Sequence, residues 1–433
     1  VAPVGSRRRS IRAAATEGAA SDVVTALATG AVLTGWSLRF GGSPGYIAAV
    51  QSLWVGAQVL HLPASILTML ARRKRLAMAA LALSRLAWLP MALSPWLGWS
   101  ESEGRTWLFA TAACGASLNV IGVNAQTSWM GDLVPASIRG RFFAQRTLSA
   151  TVGNALGSLG AAVLMDRVGG GAPPSWALPT LAGAIVLAGL VTSALLFVQD
   201  DAPARAHDTR HALAELRRAL VDRRMRPLFA YQLYYWAACA PGAGLFALWV
   251  LDHLGAGYTV IAMHALFLTW VRLRTAPLWG RAIDRFGARP VLVVCTAGIG
   301  LMPLLWTLAR PDFLWPLVLD SALSGALWGG HAIAMFDLPL GLSDHDEPSP
   351  LARPAVVAWS AAAMGTAWIA ASVLARLYVG TGEVEASTLR VVFYASAFGR
   401  GSAALLALRL YERQARTITS MIRGSLVSER PEA

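Results

Sequence analysis

Two ionisable residues sit where ionisable residues are costly. Arg85 lies about nine residues into the apolar stretch Leu76 to Leu97, and Asp320 lies within Phe313 to Leu340 with apolar neighbours on both sides. A charge in hydrocarbon costs several kcal/mol unless it is paired or hydrated, so such residues mark either a solute or proton path or a structural ion pair. Asp320 reads as a proton-coupling acid or solute contact, or else as the partner of an arginine. Arg85 reads as the receptor of an anionic group, or as the neutraliser of an acid. Gln58, Asn124, Trp328 and His331 join them as candidate pathway residues. Polar groups at such places also serve simply to bind neighbouring helices. Further polar residues within apolar runs are Gln51, His61, Asn119, Gln126, Asn154, Gln232, His264, Arg272 and Arg274, the last two within snorkelling reach of an interface. Asp22, at the mouth of the first run, is read as a helix N-cap or a pathway acid.

The elements that carry these residues follow from hydropathy. Of 433 residues, 55% are hydrophobic and 14% charged, far from an ordinary soluble domain. Apolar windows of roughly twenty residues recur twelve times, six before a polar stretch at 199–227 and six after it. The fold expected is all-α and integral to a membrane, with twelve transmembrane helices as two pseudo-symmetric six-helix bundles. Its parts are a basic tail (1–21), an N-terminal bundle (22–198), a linker with an amphipathic helix (199–227), a C-terminal bundle (228–410) and a C-terminal tail (411–433).

Arginine sets the orientation. Alternate loops hold Arg72, Arg73, Lys74 and Arg75; Arg139, Arg141 and Arg146; seven arginines of the linker; and Arg281, Arg285 and Arg289. The intervening loops have little beyond Arg39, Arg105, Arg167, Arg310 and Arg390. By the positive-inside rule both termini face the cytoplasm. The formal charge of +13 is thereby a matter of topology and anionic lipids, which speaks against nucleic acid as a partner. Cys114, Cys239 and Cys295 are isolated within apolar runs and suggest neither a disulfide framework nor a metal site. No nucleotide-binding loop, zinc-protease motif or nucleophile elbow occurs, so neither enzyme chemistry nor a cofactor is expected. The N-terminus lacks the apolar core of a signal peptide and reads as a retained tail.

The loop after the eighth window reads Gly280-Arg281-Ala282-Ile283-Asp284-Arg285-Phe286-Gly287-Ala288-Arg289-Pro290. It resembles the Gly-x-x-x-Asp-Arg-x-Gly-x-Arg signature of the major facilitator superfamily. The segment after the fourth window, from Asp132 through Pro135 to Arg139-Gly140-Arg141, is similar to the Pro-x-x-x-Arg-Gly-Arg element of the same superfamily. The first-half copy of the signature keeps Arg72-Arg73-Lys74-Arg75 but neither its glycines nor its acid. The resemblance implies a secondary transporter that moves a small solute by alternating access, with proton coupling as one option and no subfamily specified. The alternative it leaves is a non-transporting protein of the same fold, an assembly factor or a lipid or pigment handler. It further implies that Asp284 faces Arg139, Arg141 and Arg146 across the two halves, forming a latch at the cytoplasmic face, and that spans five and eleven lie between the halves. On those spans Gly153, Gly157, Gly160 and Gly365 form small-residue faces suited to sliding or to static packing. Partners are a small-molecule substrate and membrane lipids, the chain is expected to be a monomer, and arginine in place of all lysine but Lys74 suggests a bacterial inner membrane.

Overall fold

The computed structural model describes residues 4–134, 136–166, 174–201, 209–342, 351–379 and 385–412. Twelve helical spans run back and forth along one axis. The first six are Thr16–Arg39, Pro44–Leu70, Arg73–Leu97, Glu101–Met130, Gln145–Asp166 and Ala177–Val198. A linker helix, Thr209–Val221, precedes spans seven to twelve: Met225–His253, Tyr258–Phe286, Ala288–Leu308, Trp315–Gly341, Pro354–Tyr378 and Ala386–Ala407. Among the described residues nine of these are long and apolar enough to cross a membrane. Spans eight, ten and twelve are the exceptions, and they hold Arg272, Arg274, Asp320, His331 and Arg400. Their polar residues are concentrated where the second half needs them, at the expense of hydropathy.

The pseudo-symmetry is visible in packing. Span one packs on five and six, as seven packs on eleven and twelve; three packs on four and six, as nine packs on ten and twelve; two packs on four, as eight packs on ten. The halves meet along two seams related by the same operation, two with eleven and five with eight. Outward faces carry Phe197, Leu377 and Phe398, each more than 70% exposed, as a lipid-facing surface requires.

Local chemistry sets the ends and breaks. Ser100 and Glu103 form a reciprocal capping box at the start of span four. Ser43 caps span two by accepting from the Tyr46 N–H, with Pro44 in the first turn. Span one breaks after Thr29, where Gly30 takes φ +58°, a backbone shape that favours glycine. Gly287 (φ +95°) does the same between spans eight and nine. Gly280, by contrast, lies inside span eight with nothing within 4 Å of a Cβ placed there. It is therefore no turn former: the helix carries its charged last turns on to Phe286 before the chain reverses.

Three further expectations change. Helix begins at Val4, so the tail boundary drawn at residue 21 falls inside a helix, and Asp22 is a mid-helix residue with no capping role. The linker helix buries Leu216 and Ala219 while Leu213 and Leu220 stay exposed, because Leu216 packs towards span eleven, where Trp359 Nε1–H donates to its carbonyl. Beside it, Asp222 accepts from the Arg224 side chain, which holds its carboxyl below the usual range. Finally, the span-five glycines do not face the other half. A Cβ on Gly153 would lie 2.1 Å from the Ala19 carbonyl oxygen and one on Gly157 3.2 Å from Val23 Cα, both in span one. Gly365 does serve a seam: a Cβ there would lie 2.8 Å from the Gly56 carbonyl oxygen of span two.

These contacts order the glycines by cost. Gly153→Ala should destabilise the purified protein by about 1–3 kcal/mol, since backbone must move. Gly160→Ala, with no atom within 4 Å of its Cβ, should be neutral or slightly stabilising through helix propensity. Equal melting temperatures for the two variants would overturn this assignment of faces.

Candidate functional site

Each half holds its own buried polar cluster. In the first half Arg85 is 2% exposed and donates through Nη1 to Asn119 Oδ1 (3.0 Å) and through Nη2 to Ser21 Oγ (2.9 Å). One turn below Ser21, Glu17 is fully buried and accepts from Gln126 Nε2 (2.7 Å) and Arg146 Nη2 (3.0 Å). A carboxylate with two donors, one of them a guanidinium, is a stable way to keep charge in a dry place. Spans one, three, four and five are thereby tied by a network that balances Arg85 and Arg146 against Glu17 and Asp22. Asn154 of span five donates to the backbone carbonyl of Asp22 (3.4 Å), and the Asp22 carboxylate itself makes no hydrogen bond or ion pair among the described residues.

In the second half Asp320 is 1% exposed and shares a 2.7 Å hydrogen bond with His264 Nε2 of span eight, while Ser324 donates to its other oxygen (3.1 Å). Asp320 is the sixth residue of span ten and His264 the seventh of span eight, so the pair lies roughly 10 Å from the end opposite the arginine-rich loops. Nearer that basic end, His331 Nε2 meets Tyr231 Oη (3.0 Å), which also bonds Thr296 Oγ1 (2.8 Å). The His331 ring stacks on Tyr235 at 4.6 Å. Trp236 stacks on Trp328 and meets Trp368, each at 6.1 Å, giving a half-buried aromatic wall drawn from spans seven, ten and eleven.

Of the six pathway residues expected, Asp320, Trp328 and His331 share one half, and Arg85 and Asn124 the other. Asn124 binds Thr68 Oγ1 (3.0 Å) and His61 Nδ1 (3.2 Å), which makes it a tie between spans two and four. Gln58 lies in a 3-10 turn of span two, its backbone against Gly365 at the seam. A cavity of about 150 Å³ opens between spans one, five and eight, walled by Thr29, Gly30, Asn154, Ser158, Ala162, Tyr258 and Ala262. Neither Arg85 nor Asp320 is in its walls. Residues that sequence reasoning passed over include Glu17 and Asp166. Glu17 falls in what reads as a solvated tail, although its spacing of four from Ser21 puts both on one helix face.

Across the halves the two ends differ. Opposite the basic end, Asp166 of span five accepts from the Tyr258 and Thr259 N–H groups of span eight (2.8 and 2.5 Å). There Ile47 and Ala48 also join Leu245, Trp249 and Phe393 in one apolar cluster. At the basic end Asp284 does not pair with Arg146. Arg146 pairs with Glu17 instead, and Asp284 has no ion pair or hydrogen bond among the described residues. Pro135 lies outside the described residues, as do the side chains of Asp132, Arg139 and Arg141. The acidic segment 343–347, opposite in charge to Arg72, Arg73, Lys74 and Arg75, lies outside them as well. Within the second-half loop, Arg289 donates to the Leu410 carbonyl (3.3 Å), Arg285 lies over Phe286, and Glu412 accepts from the Ala288 and Arg289 N–H groups (2.7 and 2.9 Å). The loop is thus tied to its own half.

The sequence matches the family described as MFS/sugar transport protein over residues 72–335. No curated protein matches it. The fold is similar to that of a D-xylose-proton symporter, with a TM-score of 0.69 at 14% identity over 93% of this chain and 98% of that one. It is also similar to the xylose transporter XylE from E. coli in an inward open conformation (TM-score 0.66, 13% identity, 95% and 98% covered). A third likeness is to the nucleoside transporter NupG (TM-score 0.64, 12% identity, 94% and 99% covered).

The His264–Asp320 pair yields a stability test. His264→Leu leaves a buried carboxyl with Ser324 alone and should cost about 3–5 kcal/mol, whereas the double variant His264→Leu/Asp320→Leu should recover much of that loss. A double variant no more stable than the single one in a thermal melt would show that the pair is not the unit.

Proposed function

The chain belongs to the MFS/sugar transport protein family, a family of secondary transporters, and we propose that it carries a small neutral or proton-coupled solute by exposing a site between its halves alternately to the two faces of a bacterial inner membrane. The observation that carries this reading is the asymmetry of the seam. Asp166 and the Ile47–Phe393 apolar cluster join the halves at one end, while at the other Arg146 pairs within its own half and the described contact across the seam is the apolar packing of Leu62 and Ile66. A carrier that rocks about a central site must hold one end shut at a time. With the basic end placed in the cytoplasm by the positive-inside rule, this is the state closed to the outside. In the opposite state Asp284 would face the arginines at the start of span five across the seam, with Arg146 still paired to the buried Glu17. Each such surface pair is worth only about 0.5 kcal/mol, so the latch biases an equilibrium without locking it.

Coupling is assigned to Asp320 with His264. The assignment rests on place and partners: an acid buried within a span, held by His264 and Ser324, is the kind of group found on proton paths. The aromatic wall of Trp236, Trp328 and Trp368 offers flat apolar surface to one face of a ring-shaped solute. Sugars and nucleosides are therefore the first classes to screen, in keeping with the family's description and the names of the similar structures. One chain supplies both halves of the pathway, so a monomer suffices.

Two experiments test the reading. In proteoliposomes with an imposed pH gradient, Asp320→Asn should abolish accumulation of a solute that raises the melting temperature, yet leave solute exchange. Accumulation that survives the change would remove Asp320 from coupling, and the absence of any stabilising or exchanged solute would count against transport itself. Asp284→Arg should raise labelling of engineered cysteines from the basic end; unchanged labelling would discard the latch.

A further inference from the structure

The start of span eight is capped in trans. Its N-cap residue, Gly257, has no side chain to satisfy the first N–H groups of a 29-residue helix, and the structure shows no cap from within the segment. Asp166, the last residue of span five and in the other half of the molecule, supplies both oxygens instead, Oδ1 to the Tyr258 N–H and Oδ2 to the Thr259 N–H. The fit leaves no room for another residue at 257, where a Cβ would lie 2.7 Å from Asp166 Oδ2. At the symmetry-related seam, among the described residues, span two is capped by its own Ser43. Tyr258 reaches on to span one, its Oη 3.0 Å from where a Cβ on Gly35 would be, and it also walls the cavity between the halves.

We infer that Asp166 is the gating residue of the transport cycle at the extracellular end: its carboxylate holds the positive start of span eight while the cavity is closed and must release it for the cavity to open outward. This rests on the transport reading for its biological meaning, and on geometry alone for its mechanism. A carboxylate facing two unpaired N–H groups at a helix start is favoured by hydrogen bonding and by the helix dipole together. When the seam opens, water must take over both sets of groups. The bond is thus reversible at an aqueous rim, where the same contact in hydrocarbon would not be. Asp166 touches no solute in this role. It positions span eight and, through Tyr258, the roof of the cavity.

The test reads accessibility from outside, and labelling from the basic end serves as the control, because a general loss of stability would raise both. With exposed Cys114 changed to Ser, a cysteine is introduced as Ser158→Cys in the cavity wall and labelled from outside by a membrane-impermeant maleimide, using the full chain in lipid vesicles. Asp166→Leu should raise the labelling rate by about tenfold, and Asp166→Asn, which keeps one acceptor, by less. Thr259→Pro, in the first turn of span eight, removes one donor and sets a ring carbon against the carboxylate, so it should raise labelling with the Asp166 residue itself unchanged. The two changes together should do no more than Asp166→Leu alone. Unchanged labelling in the Thr259→Pro variant, which keeps the carboxylate and decides the matter if Asp166→Leu does not fold, would overturn the gate. Labelling needs no solute, so a chain that carries nothing could still show the gate, and a working carrier with unchanged labelling would refute the gate alone.

Discussion

Hydrocarbon offers no hydrogen bonds, so every backbone N–H and C=O within a bilayer must find its partner inside the protein. Much of this structure follows from that condition. Each span is a helix because a helix satisfies its own backbone; caps such as Ser43 and the Ser100–Glu103 box stand where spans emerge. Irregular backbone is kept to protected places. The break at Thr29–Gly30 opens onto the seam cavity, and Gln51 Nε2 reaches the freed Gly30 carbonyl at 2.6 Å. Where a helix start has no cap of its own, as at Tyr258, the other half of the molecule provides one, and an obligation of the backbone becomes a contact between moving bodies.

The same economy governs charge. Glu17 with Arg146 and Gln126, Asp320 with His264 and Ser324, and Arg400 with the Cys239 carbonyl are each enclosed in one half, so both halves can move as units without exposing a bare ion to lipid. What crosses the seam is weaker or more readily wetted: apolar contact along spans two and eleven, where Gly56 and Gly365 allow backbones to approach, and the Asp166 cap at the rim. Strong bonds within bodies and modest ones between them are what rocking requires.

The architecture was legible because its cause is written along the chain. Twelve apolar windows and the arginine rhythm report burial in lipid and sidedness directly, and the Asp284 loop reports the family. The site was legible only in part. Arg85 and Asp320 announce themselves as charges in apolar runs, but their partners depend on helix rotation and register between distant spans, which periodicity cannot supply. His264 and Asp320 are 56 residues apart, and their pairing appears only once spans eight and ten are packed. Glu17 and Asp166 were hidden by position. Both sit at the margins of apolar windows, where an acid looks like a marker of the membrane boundary. The stripe of Gly153 and Gly157 illustrates a further limit: small residues announce close approach without saying to which neighbour.

Among the described residues, spans eight, ten and twelve are the less apolar members of the second half and spans seven, nine and eleven the more apolar. During synthesis each less apolar segment emerges just after a more apolar one. Spans ten and twelve pack on spans made before them, ten on eight and nine and twelve on seven and nine, whereas the main second-half neighbour of span eight is span ten, which follows it. The polar faces of the second half are thus covered largely by helices that are not their neighbours in the chain, and the residues that give it chemistry also make its spans depend on one another.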